Sequence, residues 1–163
     1  ITTDLAGTKA HIVDFSPGAE QIFGYSKKEI IGKPLAVLHR AEDVRRFPLA
    51  IRTLRRSKQP LSEETTLVRK SGQTFPAHLT LCPLFDEEGD LRRVLGVTID
   101  LTERKRVEKE LRREKERAEQ YLDVVGVMVV AGDQEGRVTL VNRKGCEVLG
   151  YPKEEILGKD WRK

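Results

Sequence analysis

Three histidines, His11, His39 and His78, and two cysteines, Cys82 and Cys146, are the side chains of this 163-residue chain best suited to metal, nucleophilic or redox chemistry. Zinc-type sites draw such ligands together in close pairs, but the two cysteines lie far apart and the histidines are scattered. The sequence shows no Ser/His/Asp grouping, no glycine loop shaped for phosphate and no phospho-acceptor histidine motif. No metal and no catalytic residue are therefore expected. Two distant cysteines also make a poor disulfide scaffold, which points to a reducing, cytoplasmic setting.

The chain carries 30 Lys and Arg against 26 Asp and Glu, a formal net charge of +4, and 38% of its residues are apolar. Much of the basic excess lies between Arg104 and Arg117, where acids alternate with bases, the pattern of a solvated helix face. A nucleic-acid-binding segment is nearly free of acids, because neutralising phosphate drives its affinity. Glu108, Glu110, Glu114 and Glu116 make nucleic-acid binding here the weakest reading, and no nucleic-acid partner is expected. No apolar run approaches the roughly 20 residues of a membrane helix, and Ile1-Thr2-Thr3-Asp4 opens no signal peptide.

The elements that would position any site follow from a repeat. Gly24–Lys33 reads GYSKKEIIGK and Gly150–Lys159 reads GYPKEEILGK. Upstream, Asp4–Gly7 matches Asp133–Gly136, and Ile12–Ser16 matches Val138–Asn142. Each copy reads as strand, glycine turn, strand and short helices opening near Ala19 or Cys146. After the first copy, Ala41–Ser57 has helical spacing, with a start, kink or break expected at Pro48. Strands are expected at Glu63–Arg69, Thr74–Phe85 and Leu91–Leu101, joined as hairpins into an antiparallel sheet. Thr102–Val125 is charged and helical. Asp100 can cap it while Glu103 reaches back, as in a capping box, and its length would be roughly 36 Å. Val107, Leu111, Ala118, Tyr121 and Val125 fit the a and d positions of a short, weak coiled-coil seam broken by Glu114.

Three stretches now resemble PAS domains, the sensor modules of bacterial signalling proteins. They are Ser16-Pro17-Gly18-Ala19-Glu20-Gln21-Ile22-Phe23-Gly24-Tyr25 with Glu29-Ile30-Ile31-Gly32, then Arg69-Lys70-Ser71-Gly72-Gln73-Thr74-Phe75-Pro76, and last Gly96–Arg104, which looks like the family's Asp-x-Thr exit motif. The resemblance implies an α+β fold, a five-stranded antiparallel sheet flanked by short helices. It divides the chain into a PAS domain at 1–101, a helical linker at 102–125 and the opening part of a second PAS domain at 126–163. It further implies a fragment whose effector, a histidine kinase or diguanylate cyclase, follows in the same polypeptide beyond residue 163.

The resemblance also frames the cofactor question. Flavin photosensors of the LOV subclass carry a cysteine where this chain has Leu35, in Gly32-Lys33-Pro34-Leu35. The second copy offers Gly158-Lys159-Asp160-Trp161, again without sulfur. Their flavin-binding amides align with Leu67, Ala77 and Thr98, which lack the needed polar groups. Haem-binding relatives place a proximal histidine near Arg46, and no histidine lies between His39 and His78, so His-ligated haem is disfavoured. His39 reads as a surface or capping residue. Flavin of the LOV type is likewise disfavoured, and the cofactor, if any, stays unassigned.

What remains is an apolar pocket. Ala77, Leu79 and Leu81 share one strand face, as do Val94, Gly96 and Thr98, and the resemblance turns both inward beside Leu35, Leu38 and Leu67. Such a lining suits a small hydrophobic ligand with Thr98 as its single polar contact; the alternative is a filled core and an empty interaction module. The other face of the last strand, Leu95, Val97 and Ile99, is also apolar and needs a cover. With no helix ahead of the first strand, a homodimer through that face and the 102–125 helix is expected. Asp100 and Thr102 are the expected relay from strand to helix.

Overall fold

Alternating burial along Thr74–Phe85 places one face of this segment on a core, and it forms the long strand β4. The structure, a computed structural model, describes residues 1–5, 10–124 and 126–160. The first part of the chain runs β1 (Thr2–Asp4), β2 (His11–Asp14), α1 (Pro17–Phe23), α2 (Lys27–Ile30), a 3-10 turn (Leu35–Leu38), α3 (Ala41–Val44), α4 (Phe47–Ser57), β3 (Leu61–Val68), β4 and β5 (Leu91–Asp100). A long helix, α5 (Thr102–Val124), follows the sheet.

β1 to β5 form one antiparallel sheet in the order β2-β1-β5-β4-β3. The last three strands are hairpin neighbours, and β1 returns to pair with β5, setting Thr3 against Val94. This is the α+β, five-stranded architecture expected from the sequence. β3 begins at Leu61, earlier than the expected Glu63. The expected helix over Ala41–Ser57 is two helices, parted at Arg45–Arg46. Pro48 lies in the first turn of α4, where its missing N–H leaves no bond unmade, so the chain breaks before the proline instead of kinking at it.

Two apolar clusters fill the concave side of the sheet. Phe15, Phe23, Ile30, Leu38, Leu67, Phe75 and Ala77 belong to one, and Leu54, Leu91 and Val94 to the other. Phe23 packs edge-on to Phe75 with centroids 5.6 Å apart, adding to the burial of both rings.

The repeated stretches adopt one local structure. Ser16 accepts a hydrogen bond from the Ala19 N–H (3.3 Å) and starts α1; Asn142 accepts from the Gly145 N–H (2.9 Å) and starts α6 (Arg143–Leu149). Gly24 and Gly150 end those helices at φ 76° each, a left-handed conformation that a side chain would strain. The Gly32 N–H donates to the Ile12 carbonyl at 2.8 Å, and the Gly158 N–H donates to the Val138 carbonyl at 2.8 Å. The second stretch lies in a compact unit of its own, Arg106–Lys163. That unit contains β6 (Val130–Gly132), β7 (Val138–Val141), α6 and α7 (Lys153–Ile156). Asn142, 3% exposed, is fully engaged there. Its amide nitrogen donates to the Leu122 and Val127 carbonyls, and its oxygen accepts from Val129 and Gly145. The first copy's glycine turn, around Gly7, lies outside the described residues.

Candidate functional site

Between the concave sheet face and the helices lie two small chambers. The outer is about 70 Å³ and the inner about 30 Å³. They share six lining residues, Thr3, Leu35, His39, Leu79, Leu81 and Val94. Six of the seven expected pocket residues, Leu35, Leu38, Leu67, Leu79, Leu81 and Thr98, line the inner chamber. Ala77 lines neither and is packed into the core instead. The register explains the convergence: Leu79 faces Thr98 and Leu81 faces Gly96 across the β4–β5 ladder. Sites for drug-sized ligands span about 300–1,000 Å³, so these chambers take only a small molecule or a few waters.

His39 caps the 3-10 turn, its N–H donating to the Ala36 carbonyl at 3.1 Å, as one of its two sequence readings had it, but it is not a surface residue. It follows the 3-10 turn, its backbone bridges to Leu67, and its ring lines both chambers. The ring stands edge-on to Phe47 with centroids 4.8 Å apart. Burial pulls its pKa from 6.5 down to about 4, against the opposing pull of Asp43. His39 is thus a neutral imidazole near neutral pH. Thr3, Thr65, Asp43, Arg46 and Glu63 add polar groups to the outer chamber that the sequence reading did not assign to it. Glu63 and Thr65 were findable from strand alternation, since they share a face with Leu67.

The exit from the sheet is also built from charge. Asp100 Oδ1 accepts from the Thr102 N–H (2.8 Å) and hydroxyl (2.5 Å), while Oδ2 pairs with Arg69 at 2.5 Å. Burial alone would raise the Asp100 pKa; Thr102 and Arg69 outweigh it and hold the carboxyl below its ordinary range. The capping box needs one correction. α5 starts at Thr102, and the Leu101 carbonyl accepts from the Lys105 N–H, so Leu101 is the cap residue and Asp100 braces the helix from one position outside. Arg69 is the partner the sequence reading missed. Its guanidinium also donates to the Ile22 carbonyl at the end of α1 and lies 4.0 Å over the Phe75 ring.

The convex sheet face is apolar and open in the single chain. Val97 is 47% and Ile99 56% exposed, and Leu95 is half-buried. An open groove of about 330 Å³ lies between Leu95–Thr98 of β5, drawing on both faces of the strand, and Gly18, Ala19 and Ile22 of α1. On α5, Val107, Leu111, Ala118 and Tyr121 are all exposed, and Val125 lies outside the described residues. Arg112–Glu116 and Glu114–Arg117 ion pairs on α5 fit the interleaved charges of a solvated helix. Among the described residues no group of three or more His, Cys, Asp or Glu could hold a metal ion, and no helix is long and apolar enough to cross a membrane.

The fold and its exit motif define a sensor-type domain, and comparison with known proteins gives the family. The chain matches the PAS domain family over residues 2–103 and again over 124–163. It belongs to the PAS family. It is similar to a probable diguanylate cyclase, DgcE, of Escherichia coli, with 32% identity over 117 residues, 72% of this chain. The chain spans about a tenth of that relative's length, since the match covers 10% of it. Among solved structures it resembles the PAS domain of a Colwellia psychrerythraea protein, at 25% identity and a TM-score of 0.56, covering 63% of this chain and 85% of that one. A light-oxygen-voltage domain studied with a flavin analogue gives 26% identity and a TM-score of 0.54, with 71% and 85% covered.

The last likeness raises flavin again, and the residues present do not fit flavin-adduct chemistry. Leu35 presents an aliphatic side chain to both chambers. The one cysteine in the sheet, Cys82, is paired with Leu95 and alternates to the convex face, away from Leu81 and the chambers.

Proposed function

We propose that this chain is a sensory relay module, in which the chambered core is the sensing element and Asp100 transmits its state to α5. The observation that carries this is the divided Asp100 carboxylate, one oxygen on the first turn of α5 and the other on Arg69, whose guanidinium rests on a core ring. A shift of Phe75 or of α1 therefore reaches the helix through one side chain. Asp100→Ala is expected to cost about 2 kcal/mol of stability, about half from the helix-end bonds and half from the pairing with Arg69. Amide exchange in the first turn of α5 should accelerate far more than in the sheet. Uniform protection in the variant would overturn the relay.

The relay is proposed to work as a homodimer, with Leu95, Val97 and Ile99 and the exposed seam of α5 as the contact. Those side chains stay open in one chain, and water-exposed apolar surface of this kind is stabilised by association. Sedimentation at high micromolar concentration should show a dimer, and Ile99→Glu should shift it to monomer; a wild-type monomer throughout would refute the contact. The proposed output is an effector domain in the same polypeptide. The likeness to a diguanylate cyclase favours that effector over a histidine kinase. The two stretches matching the PAS family support a tandem arrangement, with 102–125 as linker. A second reading, a ligand-free PAS that only dimerises, is favoured by the small chamber volumes. Mass spectrometry of an organic extract, with visible absorbance of the purified protein, separates the two.

A further inference from the structure

We infer that the paired chambers take a short, linear, uncharged molecule with one terminal hydroxyl or carbonyl group, seated with that group on Thr98. The inference rests on the sensory reading above and names its ligand class. Among the described residues, Thr98 Oγ1 is the buried side-chain oxygen without a hydrogen-bond partner. A buried hydroxyl left unpaired is costly, and native interiors rarely keep one unless something else satisfies it. Thr98 lies between the inner chamber, whose other lining side chains are apolar except Thr3 and His39, and the open groove beside Leu95 and Val97.

Shape and charge narrow the class. An apolar cavity of about 150 Å³ accommodates benzene, whereas the larger chamber here is about 70 Å³. Neither chamber alone has the width for a ring, whereas the six lining residues they share set them side by side, the arrangement that suits a slim chain lying along both past Leu79 and Leu81. Ionised ligands are disfavoured because no charged side chain lines the inner chamber and its one charge, the Ile1 ammonium, is already held by the Gly96 carbonyl at 3.0 Å, and a lone buried charge is far more costly than a buried hydroxyl. Asp43, Arg46 and Glu63 lie on the outer chamber alone, where charges of both signs flank the way in.

Gly96 supplies the test. An added methyl there would lie 3.8 Å from Leu79 Cδ1 and 3.9 Å from Leu81 Cδ2, ordinary contact distances, so Gly96→Ala fills the inner chamber without forcing the strand. The experiment is an amide-resolved NMR titration of the whole chain with 1-butanol, butanoate and benzene to roughly 50 mM, a range suited to ligands of so few atoms. Saturable shifts with 1-butanol alone, centred on Thr98 and Leu79, are expected. Thr98→Val should weaken 1-butanol about tenfold, and Gly96→Ala should abolish its binding while keeping the wild-type spectrum elsewhere. No saturable binding, equal binding of butanoate or benzene, or binding that survives Gly96→Ala would overturn the assignment. The same spectra separate this from the relay. Binding without a response at Thr102–Lys105 keeps the ligand class and refutes the relay, whereas no binding in a chain whose α5 still loosens in Asp100→Ala does the reverse.

Discussion

Acidification from pH 6.5 to pH 4 is expected to destabilise this protein by on the order of 3 kcal/mol through His39 alone. The gap between an ordinary histidine pKa of 6.5 and the folded value of about 4 sets that figure. The sign follows from where the proton goes. Above pH 6.5 neither state binds it; between 6.5 and about 4 the unfolded chain binds it and the buried ring does not, so unfolding gains. Below about 4 both states are protonated and the loss is complete. Carboxylates with lowered pKa values, such as Glu29 at about 2 and Asp100, lose their contribution as the pH falls below the ordinary carboxylate range, so the two windows are distinct. Asp43, Arg46 and Glu63 share the outer chamber with His39, and of these Asp43 pulls against the effect of burial. Urea denaturation of wild type and His39→Phe at several pH values measures the effect. The variant should be flat between pH 6.5 and 4 relative to wild type. Parallel curves would place the ring in water and refute its burial.

Arg69→Ala is expected to cost about 2 kcal/mol, between the under-1 kcal/mol typical of exposed pairs and the 3–5 kcal/mol of fully buried ones. The side chains of Arg69 and Asp100 are 21% and 26% exposed, which justifies the intermediate value. The loss includes more than the ion pair, since the same guanidinium caps the Ile22 carbonyl and covers Phe75. Arg69→Lys keeps the charge but lacks the planar fork that serves three partners at once, so it should recover less than half of the loss. A double-mutant cycle with Asp100→Ala should return a coupling of about 1 kcal/mol. Additive effects of the two changes would show that the contact carries no energy.

The strands were legible because their signal is local. Thr74–Phe85 could be bounded by reading alternation and the acidic turn that follows, and the observed β4 has those limits. The repeated helix starts and glycine stops were equally readable, since caps depend on residues within one turn of each other. In the sequence Arg69 shows only as the end of an expected strand and the start of a stretch that carries the family resemblance. Its partners lie 31 residues ahead at Asp100 and 47 behind at Ile22, and no local pattern announces them. The inward placement of the His39 ring is hidden for a related reason, although its capping position is readable. An isolated bridge to Leu67 draws it inward, and one bridge has no periodicity to detect. Six of the seven pocket residues could be placed because two strand faces and a family resemblance converged on them, whereas the chambers' small size depends on side-chain packing that no pattern encodes.

The joint between β5 and α5 is a single residue, Leu101, 6% exposed. Its N–H is held by the Pro76 carbonyl and its own carbonyl by the Lys105 N–H. Such a joint can flex at its two dihedrals but has no slack in length. The position of the first turn of α5, Thr102–Lys105, along the chain is therefore counted out in whole residues from the sheet. Inserting one residue here would swing the Val107 and Leu111 stripe by about 100° while lengthening the helix by only about 1.5 Å. A change in residue number at this joint would thus alter the helix's angular register far more than any substitution along the helix, and in steps that leave the packing of the sheet untouched.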